Sequence, residues 1–179
     1  DLPHMPYAKA DLFIDVKTQT IIDFSLVTHR EHDVKVAERI FKRNKIKNIH
    51  GMGDGAYDSE SLHEIARENG IIFYAPVRKM NKKAFSYKKP TGKYRRECIE
   101  KPCYYGHRWI NETVNSALKR TQIHFLRNKK CSMKQREFAW HIIYYNLKRI
   151  IKLSSKEECH TFFYLMVIIC PFRTEQIIR

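Results

Sequence analysis

Alternating and apolar stretches near the start of the chain predict a hairpin followed by a helix. Residues 11–16 and 20–27 are short, apolar and rich in β-branched and aromatic side chains, and the polar residues 17–19 between them suit a tight turn. From Asp33, a good helix N-cap, apolar residues recur at helical spacing as far as position 44. We therefore expect two antiparallel strands and then one amphipathic helix.

The next part of the chain predicts a strand, a helix and a second strand. Residues 46–52 resemble a buried strand that runs into Gly53, Asp54 and Gly55, where the glycines permit a tight turn. A helix is expected from about residue 58 or 59 until Asn69 and Gly70, and residues 71–77 predict another strand. This order, added to the hairpin, predicts an α/β domain with a mixed sheet flanked by helices.

Two long helices are predicted in the second half, after a basic segment. Residues 78–101 carry ten Lys or Arg and only two Glu, with no apolar period, which favours a DNA-tracking loop over a merely solvated one. A helix is then expected over residues 108–126, and another after Ser132. The expected inner residues are Ile110, Val114, Ala117, Leu118 and Thr121 in the first of these helices, and Ala139, Ile142, Ile143, Leu147, Ile150 and Ile151 in the second.

The predicted domain organisation is one folded unit and a tail. Residues 1–155 are assigned to the domain, with residues 78–103 as a basic insertion or loop within it. Residues 156–179 form a tail in which no element is predicted. The apolar run at residues 162–170 is too short to cross a bilayer, which needs about 20 residues.

Composition and charge narrow the choice of partner. The 179 residues are 43% hydrophobic, as in a folded domain, and 34 Lys+Arg against 19 Asp+Glu give a formal net charge of +15. Such a charge predicts a polyanionic partner. Nucleic acid is favoured over an anionic membrane because the basic residues do not flank a lipid-seeking helix. Five cysteines, an odd number at irregular spacing, indicate reduced thiols of a cytosolic protein.

Asp54 is the first candidate for chemistry. Phosphoryl transfer with two metal ions needs several carboxylates that converge within a few ångströms. An acid at the carboxyl end of a sheet strand faces the crevice where α/β proteins place their ligands. Taken alone, Asp54 would equally suit an ordinary turn.

A row of four residues forms the second candidate. Tyr105, Arg108, Glu112 and Lys119 are spaced by three, four and seven residues, so the last three share one stripe of a helix. A carboxylate between two cations suits a metal ligand whose neighbours hold phosphates. The alternative is an exposed ion pair worth only a few tenths of a kcal/mol, about 0.3.

The same four residues resemble a known signature. The pattern Tyr-x2-Arg-x3-Glu-x6-Lys is similar to that around the catalytic Glu of insertion-sequence DDE transposases. Residues 53–59 resemble the segment around the second catalytic Asp of that family, and residues 13–18 and 28–33 resemble the part before it. The likeness covers roughly residues 8–150, and the two core motifs are specific in combination.

The resemblance implies a fold, a site and partners. The family fold is RNase H-like, a hairpin-bearing mixed sheet flanked by helices. Asp54 and Glu112 would be catalytic metal ligands, whereas Arg108 and Lys119 would contact DNA ends and Tyr105 would support the signature. The cofactor would be Mg²⁺ or Mn²⁺ in a two-metal site of the complete domain. Transposon ends and target DNA would be the partners of a cytoplasmic, nucleoid-associated prokaryotic protein, and cleavage at paired ends would suit a homodimer.

One part of the family pattern is not found in this sequence. The first catalytic Asp should lie on a strand before the hairpin, so we expect this chain to lack that first strand through N-terminal truncation. Asp15 and Asp23 are candidates for its role only because they are also aspartates. A site with two carboxylates should hold metal poorly. The alternatives that stay open are a transposase catalytic domain, an inactive DNA-binding remnant, and an RNase H-like repair or recombination nuclease.

Overall fold

The computed structural model describes residues 7–44, 46–78, 90–120, 125–154 and 166–176. The strands are β1 (Tyr7–Asp15), β2 (Ile21–Val27), β3 (Ile49–Met52), β4 (Ile71–Tyr74), β5 (Phe125–Leu126) and β6 (Met166–Gln176). The helices are α1 (Asp33–Arg43), α2 (Glu60–Glu68), α3 (Lys93–Glu97), α4 (Trp109–Arg120) and α5 (Cys131–Ser154). The predicted mixed α/β architecture is confirmed at this level.

The first half of the chain folds in the predicted order. β1 and β2 pair antiparallel across a turn in which Gln19 has a φ of 58° and the Asp15 carboxylate accepts a hydrogen bond from the Thr18 N–H at 3.0 Å. α1 begins at Asp33, but the N-cap is His32 rather than Asp33. β3 and β4 then pair parallel on either side of α2, as the strand-helix-strand pattern predicted.

The centre of the sheet is formed by a segment for which no element was predicted. The strand order is β2-β1-β6-β3-β4, and β6 lies antiparallel to β1 and parallel to β3. In this register Ile168 pairs with both Ile14 and Met52, and Cys170 pairs with Leu12. Part of the sequence assigned to the tail therefore joins the two halves of the sheet.

One face of the sheet is covered by α1 and α2, and we call it the α1–α2 face. Phe41 is central to it, with ring centroids 5.9 Å from Phe13 and 5.3 Å from Phe73 in edge-to-face contacts. The buried residues of this cluster include Phe13, Val36, Ile40, Phe41, Tyr57, Leu62, Phe73 and Ile169. Apolar burial of this kind contributes about 25 cal/mol per Å² of area removed from water.

The opposite face, the α4–α5 face, is covered by α4 and α5. Its buried residues include Leu12, Ile14, Met52, Ile110, Val114, Leu118, Phe138 and Ile142. α5 is also held by polar bonds to the hairpin, because the Asn146 amide donates to the Ile21 carbonyl at 2.8 Å and accepts from its N–H at 2.9 Å.

The packed side of α5 differs from the prediction. Phe138, Ile142 and Tyr145 are buried, together with Lys134, whereas the predicted inner residues Ile143, Leu147, Ile150 and Ile151 are exposed. The helix is apolar on two sides, so the position of the apolar residues alone did not identify the side that packs. The predicted helix over residues 108–126 also ends early, at Arg120, and residues 125–126 form β5.

The basic segment is partly structured. Residues 93–97 form α3, which packs beside α2, and the Arg95 guanidinium makes two bonds to the Asp58 carboxylate at 2.7 and 2.8 Å. The Tyr94 N–H donates to Glu60 at 3.0 Å. This part of the predicted DNA-tracking loop is therefore tied to the domain, while residues 79–89 lie outside the described ranges. None of the helices in those ranges combines the length and apolar character that a membrane span requires.

Candidate functional site

Asp54 lies where β3 ends, as the sequence predicted. The Gly53 N–H donates to the Tyr74 carbonyl at 2.9 Å, which extends the pairing of β3 with β4 by one bond. Asp54 then caps a short 3₁₀ turn over Gly55–Tyr57, since its Oδ1 accepts from the Ala56 N–H at 2.7 Å. One carboxylate oxygen is engaged by the cap, and the carboxylate is held at the sheet edge.

Gly53 allows this strand end to pack closely. A Cβ at position 53 would lie 2.8 Å from the Phe73 ring and 2.9 Å from the Tyr57 ring, closer than real Cβ contacts come. A Cβ at Gly55 would meet only ordinary contacts, the nearest at 3.5 Å. Close packing therefore requires glycine at position 53, before Asp54, but not at position 55, after it.

A buried aspartate that sequence reasoning did not single out supports the turn. The Tyr57 hydroxyl donates to Asp11 Oδ1 at 2.5 Å, and both residues are fully buried. Asp11 Oδ2 accepts no hydrogen bond, and Lys9 Nζ is 3.8 Å from it. Burial raises the pKa of Asp11 to about 6, against the lowering effects of the Tyr57 bond and the Lys9 charge. An Asp inside an apolar strand sequence was the available sign of this role.

Tyr105 lies beside this strand end. Its ring centroid is 4.9 Å from that of Tyr74, the last residue of β4, and the Lys101 ammonium lies 5.2 Å from the Tyr105 ring. Burial raises the pKa of the Tyr105 hydroxyl, with Arg108 lowering it and the Asp54 charge adding to the rise. The first residue of the four-residue row therefore lies at the carboxyl end of β4, next to the strand that runs into Asp54.

Glu112 and Lys119 share one exposed side of α4. Both line a shallow cavity of about 560 Å³ with Asn115, Ser116 and Arg120. Arg108 is half-buried and is the last residue of the 3₁₀ turn before α4. It therefore lies just outside the helix that carries Glu112 and Lys119. Among the described ion pairs, none joins Glu112 to Arg108 or Lys119, so the exposed ion pair considered from the sequence is not formed.

Asp15 and Asp23, the two other acids considered from the sequence, have structural partners. Asp15 accepts bonds from the N–H groups of Lys17 and Thr18 in the hairpin turn. Asp23 forms an ion pair with Arg43 and accepts a bond from the Asn44 amide, both at 2.5 Å. These bonds hold the two carboxylates at the hairpin turn and at the end of α1, and none of them involves a residue of β3.

The described residues do not by themselves form a metal centre. No group of three or more His, Cys, Asp or Glu side chains suited to a metal occurs within the described ranges. One oxygen of Asp54 is already used by the cap at Ala56. A divalent ion favours several oxygen ligands, so Asp54 and Glu112 alone do not fit a two-metal site.

Comparison with known proteins gives a match to a family model. Residues 5–147, well over half of the chain, match the family model of the transposase DDE domain. No curated protein and no solved structure matches the chain significantly. The matched range contains Asp54, Tyr105, Arg108, Glu112 and Lys119.

Proposed function

Because the chain belongs to the transposase DDE-domain family, we propose that it binds the ends of a mobile DNA element for metal-dependent strand cleavage and transfer. In this proposal Asp54 and Glu112 are the two carboxylates that the described residues contribute. Arg108 and Lys119 hold the DNA on either side of Glu112, and Tyr105 joins the turn before α4 to the end of β4. Divalent metal, which the family generally uses, requires at least one further ligand.

The observation that carries this proposal is the position of Tyr105. Its ring packs on Tyr74 at the end of β4, the strand that pairs with β3. The row that contains Glu112 therefore starts beside the strand end that contains Asp54. This position supports the assignment of the two motifs, which are 51 residues apart between Asp54 and Tyr105, to one site.

The charge of the row supports DNA as the ligand. Lys119 and Arg120 line the cavity that contains Glu112, and Arg108 precedes the same helix. Guanidinium groups match phosphate geometry with two parallel bonds, while ammonium groups act as point charges. A net charge of +15 adds a general attraction to the DNA backbone.

A second candidate is DNA binding without cleavage. Of the two strands next to β3 in the sheet, β6 is the one towards the hairpin, and its residues 166–174 contain no Asp or Glu. The described residues also contain no cluster of three metal-binding side chains. These two observations favour a domain that holds DNA but lacks a complete metal site.

The two candidates are separated by a nicking assay on supercoiled plasmid and on short duplex DNA with Mg²⁺ or Mn²⁺. Glu112→Gln and Asp54→Asn remove one charge each, and Asn at position 54 can still cap the turn. Glu100→Gln, which changes an exposed carboxylate outside the proposed site, is the matched control.

Metal-dependent nicking that is lost in Glu112→Gln and Asp54→Asn but kept in Glu100→Gln would support cleavage by these carboxylates. Duplex binding without nicking in any variant would support the second candidate. If the chain bound no DNA at low salt, both candidates would be contradicted. A strong preference for RNA–DNA hybrid or branched substrates would instead indicate a repair or recombination nuclease.

A further inference from the structure

A second cavity lies at the start of α5, apart from the row on α4. It has a volume of about 450 Å³ and is lined by Arg127, Asn128, Met133, Arg136, Glu137, Trp140 and His141. It is formed between the turn that follows β5 and the first three turns of α5. Nothing in the proposed cleavage site uses these residues.

The cavity offers an exposed aromatic surface. Trp140 is 71% exposed, more than any other large hydrophobic residue in the described ranges, and Met133 beside it is 40% exposed. An indole ring open to solvent provides a flat surface on which a nucleobase can stack. Stacking of this kind tolerates any base, because every base has a π face.

The cavity has a net positive charge because the guanidinium groups of Arg127 and Arg136 outnumber its one carboxylate, that of Glu137. Glu137 accepts bonds from the N–H groups of Arg127 and Asn128 at 2.9 and 3.1 Å, and from the Asn128 amide at 2.8 Å. These bonds outweigh burial and keep the pKa of Glu137 below its ordinary value. The guanidinium groups of Arg127 and Arg136 form no ion pair within the described part of the chain.

We propose that this cavity binds one unpaired nucleotide of DNA, with its base stacked on Trp140 and its phosphate held by Arg127 and Arg136. The inference rests on the proposed function, because it assigns a place to a strand that has left the duplex. Asn128 and His141 provide polar groups at the edge of the base. The ligand class is therefore single-stranded or frayed DNA rather than the paired double helix.

A protein ligand fits this end of α5 less well. The exposed apolar residues Ile143, Leu147 and Ile151 continue from Trp140 along the helix and could pack against another protein. The cavity itself, however, combines one aromatic ring and an imidazole with two guanidinium groups that form no ion pair with the described residues, and a protein partner would have to desolvate these charges. A phosphate and a base satisfy both kinds of group together.

Fluorescence provides a direct test, because the chain has only two tryptophans. In a Trp109→Phe variant the emission reports Trp140 alone. The probes are an oligodeoxythymidylate of about eight nucleotides, within the range of single-strand binding sites, an abasic strand of equal length, and a blunt duplex. Affinity is measured for the wild type, Trp140→Ala, and Ile151→Ala as the control on the same helix.

We expect the oligodeoxythymidylate to quench Trp140 emission and the abasic strand to bind more weakly with little quenching. Trp140→Ala should weaken oligodeoxythymidylate binding by roughly tenfold, as expected for the loss of one stacked base. It should change duplex affinity by less than about twofold, because phosphate contacts dominate duplex binding. Arg136→Gln should reduce the salt slope for the single strand by about 0.7.

Equal affinities for the abasic and thymidine strands, or no effect of Trp140→Ala, would overturn the inference while leaving duplex binding, and hence the proposed function, intact. A drop in sedimenting mass in both Trp140→Ala and Ile151→Ala, without loss of oligonucleotide affinity, would also overturn it by assigning the surface to self-association. Failure of the wild type to bind any of the three probes would contradict both proposals.

Discussion

The two faces of the sheet differ in how many apolar side chains their covering helices leave exposed to solvent. On the α1–α2 face, Phe41 of α1 packs in an aromatic cluster against the sheet. Tyr57, in the turn after Asp54, is buried there and donates a hydrogen bond to Asp11. On the α4–α5 face, α5 buries Phe138 and Ile142 but leaves Trp140 and Leu147 exposed on its other side. The first face is a closed core, whereas the second also leaves apolar side chains of α5 exposed to solvent.

The difference separates stability from recognition. Residues that position Asp54 are buried on the α1–α2 side, where a change is expected to reduce the free energy of unfolding. The residues proposed to touch DNA lie on the outside of α4 and α5, where a change is expected to reduce affinity with little effect on folding. The predictions that follow test this division from the largest expected effect to the smallest.

The largest effect is expected for the central strand. Ile169→Asp places an unpaired carboxylate at a position that is 1% exposed between the two halves of the sheet. Burial of such a charge should cost more than about 4 kcal/mol and abolish the folded state in urea titrations. Ile72→Asp on β4, where the side chain is 38% exposed, is the control and should remain folded. Normal folding of the Ile169 variant would show that β6 is not a central strand.

The next effect concerns the pH dependence set by Asp11. Its pKa is raised to about 6 by burial, with Lys9, Asp33, Asp54 and Tyr57 as the groups that act on it. Between about pH 4 and pH 6 the folded state keeps the proton that the unfolded state has lost, so the free energy of unfolding falls as the pH rises. The total loss is about 3 kcal/mol, and the stability then levels off above the folded pKa.

The matched variant is Asp11→Asn, which keeps an acceptor for the Tyr57 hydroxyl and cannot ionise. Its stability should fall much less over the same window, so the wild type and the variant should differ most above pH 6. Urea titrations at intervals of half a pH unit measure this difference. Parallel pH profiles for the two proteins would contradict the assignment of the slope to Asp11.

A smaller effect is expected at Gly53. Gly53→Ala inserts a methyl group 2.8 Å from the Phe73 ring, so packing must shift, at a cost of about 1–3 kcal/mol. Gly55→Ala meets only ordinary contacts and should be close to neutral in the same thermal melt. Equal losses in the two variants would mean that backbone freedom, rather than close packing, explains the glycine at position 53.

Local patterns were sufficient to predict the first half of the fold. The hairpin, α1, and the β3-α2-β4 unit were predicted because each has its own period and its own turn residues, such as Asn69 and Gly70 after α2. The same patterns placed Asp54 at a strand end and Glu112 and Lys119 on one side of a helix. They did not indicate Asp11, whose importance depends on Tyr57, 46 residues away.

The elements that were missed depend on distant partners. β6 pairs with β1, more than 150 residues earlier in the chain, and it contains Pro171, which argues against a central strand because proline donates no hydrogen bond. The packed side of α5 is marked by Asn146, whose amide bonds to the backbone at Ile21. No local period reveals such a partner, so the apolar side with Leu147 and Ile151 was chosen instead.

The central claim is that the outer side of α4 holds DNA, and the salt dependence of duplex affinity tests it most directly. Arg108→Gln with Lys119→Gln should reduce the slope of log affinity against log salt by about 2, since each phosphate contact contributes about 0.9. The control, Arg39→Gln with Arg67→Gln, removes the same charge from exposed ion pairs on α1 and α2 and should leave the slope almost unchanged. Equal slopes in both double variants would contradict the account.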